Sequence, residues 1–367
     1  MAIVKLQRGE IIPGERLPWS LFDQDGRLLL EQGQVIRSVD SLDLLYMKGV
    51  YRYDEGNSGS DVSLSPFATF TDYYQTLDRI STALTYRKAG TVERLMKLCS
   101  SLQGFIHRDM DVSLALVHLD QPYHYGILHS LHTAVLSEII GAGLNVPAGE
   151  RLSLIAAALT ANLSFYDLQD RLREQKLPLN AAQKSAIEQH PLESVGMLQA
   201  NEVGDEKWLN AVRQHHERLD GDGYPDGLAG EQIDLFARII AVADHYSASV
   251  TRREYRDTVL SKDALRWFFI EKGSQYDEAC CLYLIKELGI YPPGIFVRLE
   301  NKEVAIVTRR QPDSTLQPIV KSISSGSGEV YTKPQTRDTT QADFSIKAII
   351  RYKMPTTIQP SLLWATT

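Results

Sequence analysis

The stretch HHERLDGDGYPDGLAGEQI, His215 to Ile233, decides how this chain is read. Two adjacent imidazoles can offer neutral nitrogens to a transition metal, with the Glu217 carboxylate next in line. Gly221, Gly223, Gly227 and Gly230 are expected to let backbone approach a ligand where a Cβ would clash. The stretch is therefore either a metal site opening onto a nucleotide pocket or a glycine-rich surface loop following a helix.

Working outward, the segment ARIIAVADHYSASVTRREYR, Ala237 to Arg256, extends the pattern with Asp244, Tyr246, Arg253, Tyr255 and Arg256. Together with His215, His216, Glu217, Asp220, Gly221, Gly223, Tyr224, Pro225, Gly227, Leu228, Gly230 and Ile233, these residues resemble in register the signature of the HD-GYP family. The resemblance spans Val112 to Leu288. It implies a metal-dependent phosphodiesterase of the HD superfamily that linearises and hydrolyses cyclic di-GMP. The fold it implies is mainly α, an HD-superfamily helical bundle, here with a small β-rich N-terminal domain and a C-terminal β-extension.

The other half of that signature is replaced. In family members an apolar helix ends in a His-Asp pair followed by Ile-Gly-Lys. Here the segment reads Thr160-Ala161-Asn162-Leu163-Ser164, so Thr160 and Ala161 stand for the pair and Ser164 for the lysine. A neutral hydroxyl and a methyl do not hold divalent cations with useful strength, and serine brings no cation to a phosphate. The resemblance leaves His129, His190, His215, His216 and Asp244 as candidate metal ligands, with His132 an ordinary helix-face histidine. His190, His215 and His216 alone could form a three-nitrogen site for one divalent transition metal, iron, manganese or zinc; the other reading is an empty, hydrogen-bonded histidine cluster. No residue is assigned as catalytic. Two metals acidify water and stabilise both oxygens of phosphodiester cleavage, so loss of the bridging carboxylate predicts impaired hydrolysis.

Binding is a separate matter. By resemblance Arg253 and Arg256 meet the nucleotide phosphates, a role suited to guanidinium, although Glu254 lies between them and Ser247 follows Tyr246 where the family has aspartate. Tyr224 belongs to the same nucleotide group, and Gly223, Tyr224 and Pro225 form the expected surface for a GGDEF-domain partner. The readings that follow are a catalytically impaired sensor or interaction module of cyclic di-GMP signalling, a weakly active phosphodiesterase using a residual metal site, or a scaffold that has lost metal and nucleotide.

The remaining sequence sets the context. At 367 residues, with 43% hydrophobic and 23% charged, the chain suits a soluble multidomain protein. A formal charge of −7 and the lack of a basic stripe argue against a nucleic-acid binder. The N-terminus shows no secretory apolar core, and no apolar run approaches the ~18 residues a membrane helix needs, so a cytoplasmic protein without membrane contact is expected. Three cysteines, Cys99, Cys280 and Cys281, are expected to pack in cores.

Four regions are expected: 1–55 as a small β-rich domain, 56–110 as linker and helical segment, 111–290 as the degenerate HD-GYP domain and 291–367 as the β-extension. Trp19 to Leu30 reads as a hairpin turning at Gly26, and Ser38 to Lys48 as a helix stopped by Gly49. Phe67 to His107 reads as two amphipathic helices that pack on the core or form a homodimer. Leu152 to Leu163, almost wholly apolar, predicts a buried central helix, and Gly141 and Gly143 the end of the helix before it. Strands are expected at 295–299, 304–307 and 318–323.

Overall fold

The computed structural model describes residues 2–6, 11, 13, 17, 19–23, 28–31, 33–36, 38–48, 50–54, 65–121, 123–251, 261–311 and 314–364. The chain divides into a unit of residues 1–75 and a unit of residues 76–367. Arg253, Tyr255, Arg256, Gly26, Gly49 and the serine-glycine segment from Glu55 to Leu64 lie outside the described residues.

The first unit contains β1 (Ala2–Lys5), β2 (Leu21–Phe22), β3 (Leu28–Leu30), α1 (Val39–Lys48) and β4 (Tyr51–Asp54). The strands form one antiparallel sheet in the order β1-β4-β2-β3, with β2 and β3 paired as the hairpin pattern predicts. Its core is Leu6, Ile11, Leu17, Leu21, Ile36, Leu42 and Val50, against which Leu45 and Tyr46 pack. Next comes α2 (Pro66–Thr85), whose start is set by Pro66 in its first turn and by the Ser65 hydroxyl accepting from the Ala68 amide at 3.3 Å.

The second unit is helical up to residue 288. It comprises α3 (Thr91–Arg108), α4 (Met110–His118), α5 (Tyr125–Gly143), α6 (Ala148–Thr160), α7 (Tyr166–Glu174), α8 (Ala181–Gln199), α9 (Glu206–Gln214), α10 (Leu235–Val250), α11 (Ser261–Glu271) and α12 (Glu278–Leu288). The hub is α5, which meets α3, α4, α6, α7, α10 and α12. Ile127, Leu131, Val135, Leu136 and Ile139 suggest a single apolar stripe, but every residue from Tyr125 to Gly141 is buried, as an encircled helix requires. As expected, α5 ends at Gly143, with Leu144 as its C-cap. Both glycines also admit neighbours: a Cβ on Gly143 would lie 1.7 Å from the Tyr283 ring, and the left-handed residue beyond the helix is Asn145 at φ 60°. The run Leu154 to Ala161 in and after α6 is buried as predicted, and its three consecutive alanines let helices approach closely.

Helix starts follow local chemistry. Asn180 and Gln183 form a reciprocal capping box at α8, and the carboxylates of Asp205, Asp234 and Asp277 cap α9, α10 and α12. Cys99, Cys280 and Cys281 are buried thiols, and burial pushes Cys281 up to about 12.

After the Tyr291-Pro292-Pro293-Gly294 junction come β5 (Phe296–Leu299), β6 (Val304–Gln311), β7 (Ser314–Ser324), β8 (Val330–Asp338) and β9 (Ile346–Ile350), then α13 (Pro360–Trp364). They build an antiparallel sheet in the order β8-β7-β6-β5-β9. Two of these strands were not legible: β8, VYTKPQTRD, is polar and carries a proline because it is an edge, and β9 closes the opposite edge. The sheet is tied to the helices by Arg309 on Asp109 and by Arg310 on Asp111 and Glu287. No helix among the described residues is long and apolar enough to cross a membrane.

Candidate functional site

The cluster begins with His190 in α8. Its Nδ1 lies 2.6 Å from the Ile187 carbonyl, and since a carbonyl only accepts, Nδ1 carries the proton and Nε2 is left with a lone pair. His215 sits at the end of α9, where carbonyls lack helical partners, and its Nδ1–H caps the Val212 carbonyl at 2.7 Å. Its Nε2 is therefore also bare. The two Nε2 atoms face each other at 3.2 Å. Two lone pairs so placed call for a cation or a proton between them.

His216 completes the group. One ligand atom from each of His190, His215 and His216 lies within 4.8 Å of the others. Phe165 stacks on His190 at 5.0 Å and Tyr224 on His216 at 4.7 Å, fixing both rings. Burial, reinforced by the charge of His215, lowers His190 to about 3. Burial likewise lowers His215, and burial with the charges of His215 and His190 holds His216 well below its usual range. Near neutral pH the cluster thus presents neutral imidazoles, the form that binds metal. Two nitrogens bonded at about 2.0–2.1 Å to one tetrahedral ion are separated by about 3.3 Å, so the donor set fits a divalent transition metal.

His129 and Asp244 do not join that set directly. They close on each other, His129 Nε2 donating to Asp244 Oδ1 at 2.7 Å, while His129 Nδ1 meets the Ser247 hydroxyl at 2.7 Å. Burial would raise the Asp244 carboxyl, but the charge and hydrogen bond of His129, with His216 and His215 behind them, hold it far below its usual value. Ser247, standing where the resemblance expects aspartate, is the residue that occupies the second nitrogen of His129. His132 is buried within α5, and burial with the charges of His129 and His118 lowers it to about 3.

Thr160 is committed elsewhere. Its hydroxyl donates to the Ala156 carbonyl at 2.7 Å and accepts from the Trp208 indole N–H at 2.8 Å. Ala161 is fully buried. Ser164 donates to the His190 carbonyl at 3.0 Å and shares a 3.2 Å hydrogen bond with Ser194, so it fastens the α6–α7 connection to α8.

The glycine-rich loop folds mainly upon itself. The buried Glu217 carboxylate accepts from the amides of Asp226 at 2.7 Å and Leu228 at 3.0 Å, making Glu217 the loop's organiser. A Cβ on Gly223 would lie 2.4 Å from the Arg218 nitrogen, so this glycine serves the close approach of loop backbone to loop backbone instead of to a ligand. The Tyr224–Pro225 peptide is cis.

The rings border a cavity of about 490 Å³. His129, His190, His216, Tyr224 and Asp244 line it, joined by Tyr125, Asn162, Phe165, Gln169, Arg173 and Lys176, which sequence reasoning did not single out. Asn162 and Phe165 adjoin Thr160 and Ala161, a proximity that could have flagged them. Tyr125, Arg173 and Lys176 reach the cavity through the packing of α5, α7 and the segment after it, for which no motif exists. A cavity of this size, part aromatic and part polar, suits a nucleotide-sized ligand.

A helical unit with a buried imidazole cluster lining a cavity of aromatic and polar side chains is the architecture of a helical domain that could hold a metal. The model of the HD-domain family matches residues 87–280, more than half of the 367, and the chain belongs to that family. Among similar proteins, the cyclic di-GMP phosphodiesterase PA4108 of Pseudomonas aeruginosa is 29% identical over 241 residues, covering 66% of this chain and 58% of that protein. The cyclic di-GMP phosphodiesterase response regulator RpfG of Xanthomonas campestris pv. campestris is 33% identical over 158 residues, 37% of this chain and 42% of that one. The 3'3'-cGAMP-specific phosphodiesterase 3 of Vibrio cholerae is 29% identical over 178 residues, 48% of this chain and 38% of that one. The chain thus spans about half the length of the curated relatives it matches. In solved structures, Bd1817, an HDG"Y"P protein from Bdellovibrio bacteriovorus, shares the fold with a TM-score of 0.57 at 14% identity, over 78% of this chain and 99% of that one.

Proposed function

We propose that this chain is an HD-domain module of cyclic di-GMP signalling that binds the cyclic dinucleotide with hydrolysis strongly impaired. The observation carrying this reading is the double commitment of the Thr160 hydroxyl, to Ala156 and to Trp208, beside the methyl of Ala161. No carboxylate comes from that seat to bridge two ions, whereas the cavity next to it retains aromatic and polar walls. One divalent ion would be held by His190, His215 and His216. When bound, it would polarise a phosphoryl oxygen as a Lewis acid, without the second ion that stabilises the leaving oxygen. The relatives named as cyclic di-GMP phosphodiesterases favour that ligand class. The loop surface at Gly223, Tyr224 and Pro225 is the expected contact for a GGDEF-domain protein.

The test is calorimetric titration with cyclic di-GMP beside chromatographic analysis of products after incubation with Mn²⁺ or Fe²⁺. Saturable heat without linear dinucleotide is expected, and Thr160→His with Ala161→Asp should restore product. Rapid turnover by the unaltered chain would overturn the proposal. A second reading, slow hydrolysis by a single ion, is favoured by the two bare nitrogens 3.2 Å apart; turnover that disappears in His215→Ala would support it.

A further inference from the structure

The side chain of Asn162 is 2% exposed, and its amide nitrogen has no hydrogen-bond partner. Leaving such a donor unmet is costly, and apolar residues of similar shape would avoid that cost. Yet Asn162 lines the cavity beside His190 and His216. Arg173 of α7 and Lys176 just beyond it line the same cavity, and the Arg173 guanidinium lies 5.2 Å over the Tyr125 ring. Tyr125 in turn stacks on His129 at 5.2 Å. The carboxylate lining the cavity, Asp244, is engaged by His129.

Resting on the proposed nucleotide reading, we infer that Asn162, Arg173 and Lys176 form a phosphate subsite that binds the dinucleotide without a metal. The subsite supplies the cation that Ser164, turned to the His190 carbonyl, does not. Asn162 donates from its buried amide and Arg173 and Lys176 provide charge, so the ligand group is a phosphate oxygen.

The test compares the unaltered chain with Asn162→Leu and with Arg173→Gln/Lys176→Gln, all in EDTA, titrated separately with cyclic di-GMP and with 5′-GMP. Each variant should weaken binding by about 10-fold or more, as charge-assisted contacts do. Removing an unmet buried donor should also raise the melting temperature in Asn162→Leu, an outcome a structural asparagine would not give. Binding of cyclic di-GMP unchanged in both variants would overturn the subsite and leave the nucleotide reading standing. Binding of 5′-GMP alone, weakened by the variants, would uphold the subsite and remove the cyclic di-GMP reading. Binding of neither ligand would overturn both.

Discussion

Pro191 has no N–H to give the carbonyl of Ile187 four residues earlier, and the ring of His190 makes that hydrogen bond instead, at 2.6 Å. The neighbouring proline thus decides which nitrogen of His190 is protonated and which is bare. Two adjacent letters of sequence set a tautomer through a defect in a helix ladder.

Pro191→Ala restores a main-chain donor to compete for Ile187. A proline inside a helix costs about 3 kcal/mol relative to alanine, so the variant should melt higher. Partners that orient a ligand histidine contribute about 10–100-fold in metal affinity, so its metal binding should weaken. Competition with a chromophoric chelator, beside thermal melts, reads both effects; metal affinity equal to that of the unaltered chain would refute the role given to the proline.

The metal is expected on three histidines and not on five groups. His190→Ala and His215→Ala should each abolish bound divalent ion in elemental analysis, whereas His129→Ala should retain most of it, because both His129 nitrogens are engaged by Asp244 and Ser247. Loss of metal in all three variants would mean that His129 leaves Asp244 to join the ion.

Thr160 should matter for stability. Thr160→Val keeps the shape but leaves the Trp208 indole N–H without its acceptor, a buried donor costing about 1–3 kcal/mol. Thr160→Ser should recover most of this. Chemical denaturation midpoints separate the two, and equal midpoints would show that the indole finds another acceptor.

Acid sensitivity has an identifiable source in His118. Its Nδ1–H donates to Leu114 and its Nε2 accepts from the Tyr246 hydroxyl at 2.8 Å, while burial lowers it from the usual 6.5 to about 4. With the folded value below the unfolded one, the unfolded chain takes up the proton first. The stability held above 6.5 is therefore lost progressively as pH falls toward about 4. Denaturation midpoints measured across that window should fall with pH, and His118→Gln should flatten the slope; an unchanged slope would place the titration on another group.

The helical character of the second unit was legible because its patterns are local. The apolar run before Thr160, the capping residues and the glycine-rich loop each act within a few residues. The sheet edges were less legible, since a polar edge strand such as β8 lacks the alternation that marks a buried one. Arg253 and Arg256 remain expectations from the resemblance, outside the described residues.

By itself the sequence determined the kind of unit and the identities of the candidate ligands, and by resemblance it raised the expectation that Thr160 and Ala161 stand for a His-Asp pair, because these rest on periodicity and side-chain chemistry. Only the tertiary structure decided which histidines face one another, that Asp244 and Ser247 take both nitrogens of His129, and that Asn162, Arg173 and Lys176 line one cavity. Those relations join residues far apart in the chain. They depend on ring orientation and hydrogen-bond partners, which packing sets and no local pattern encodes.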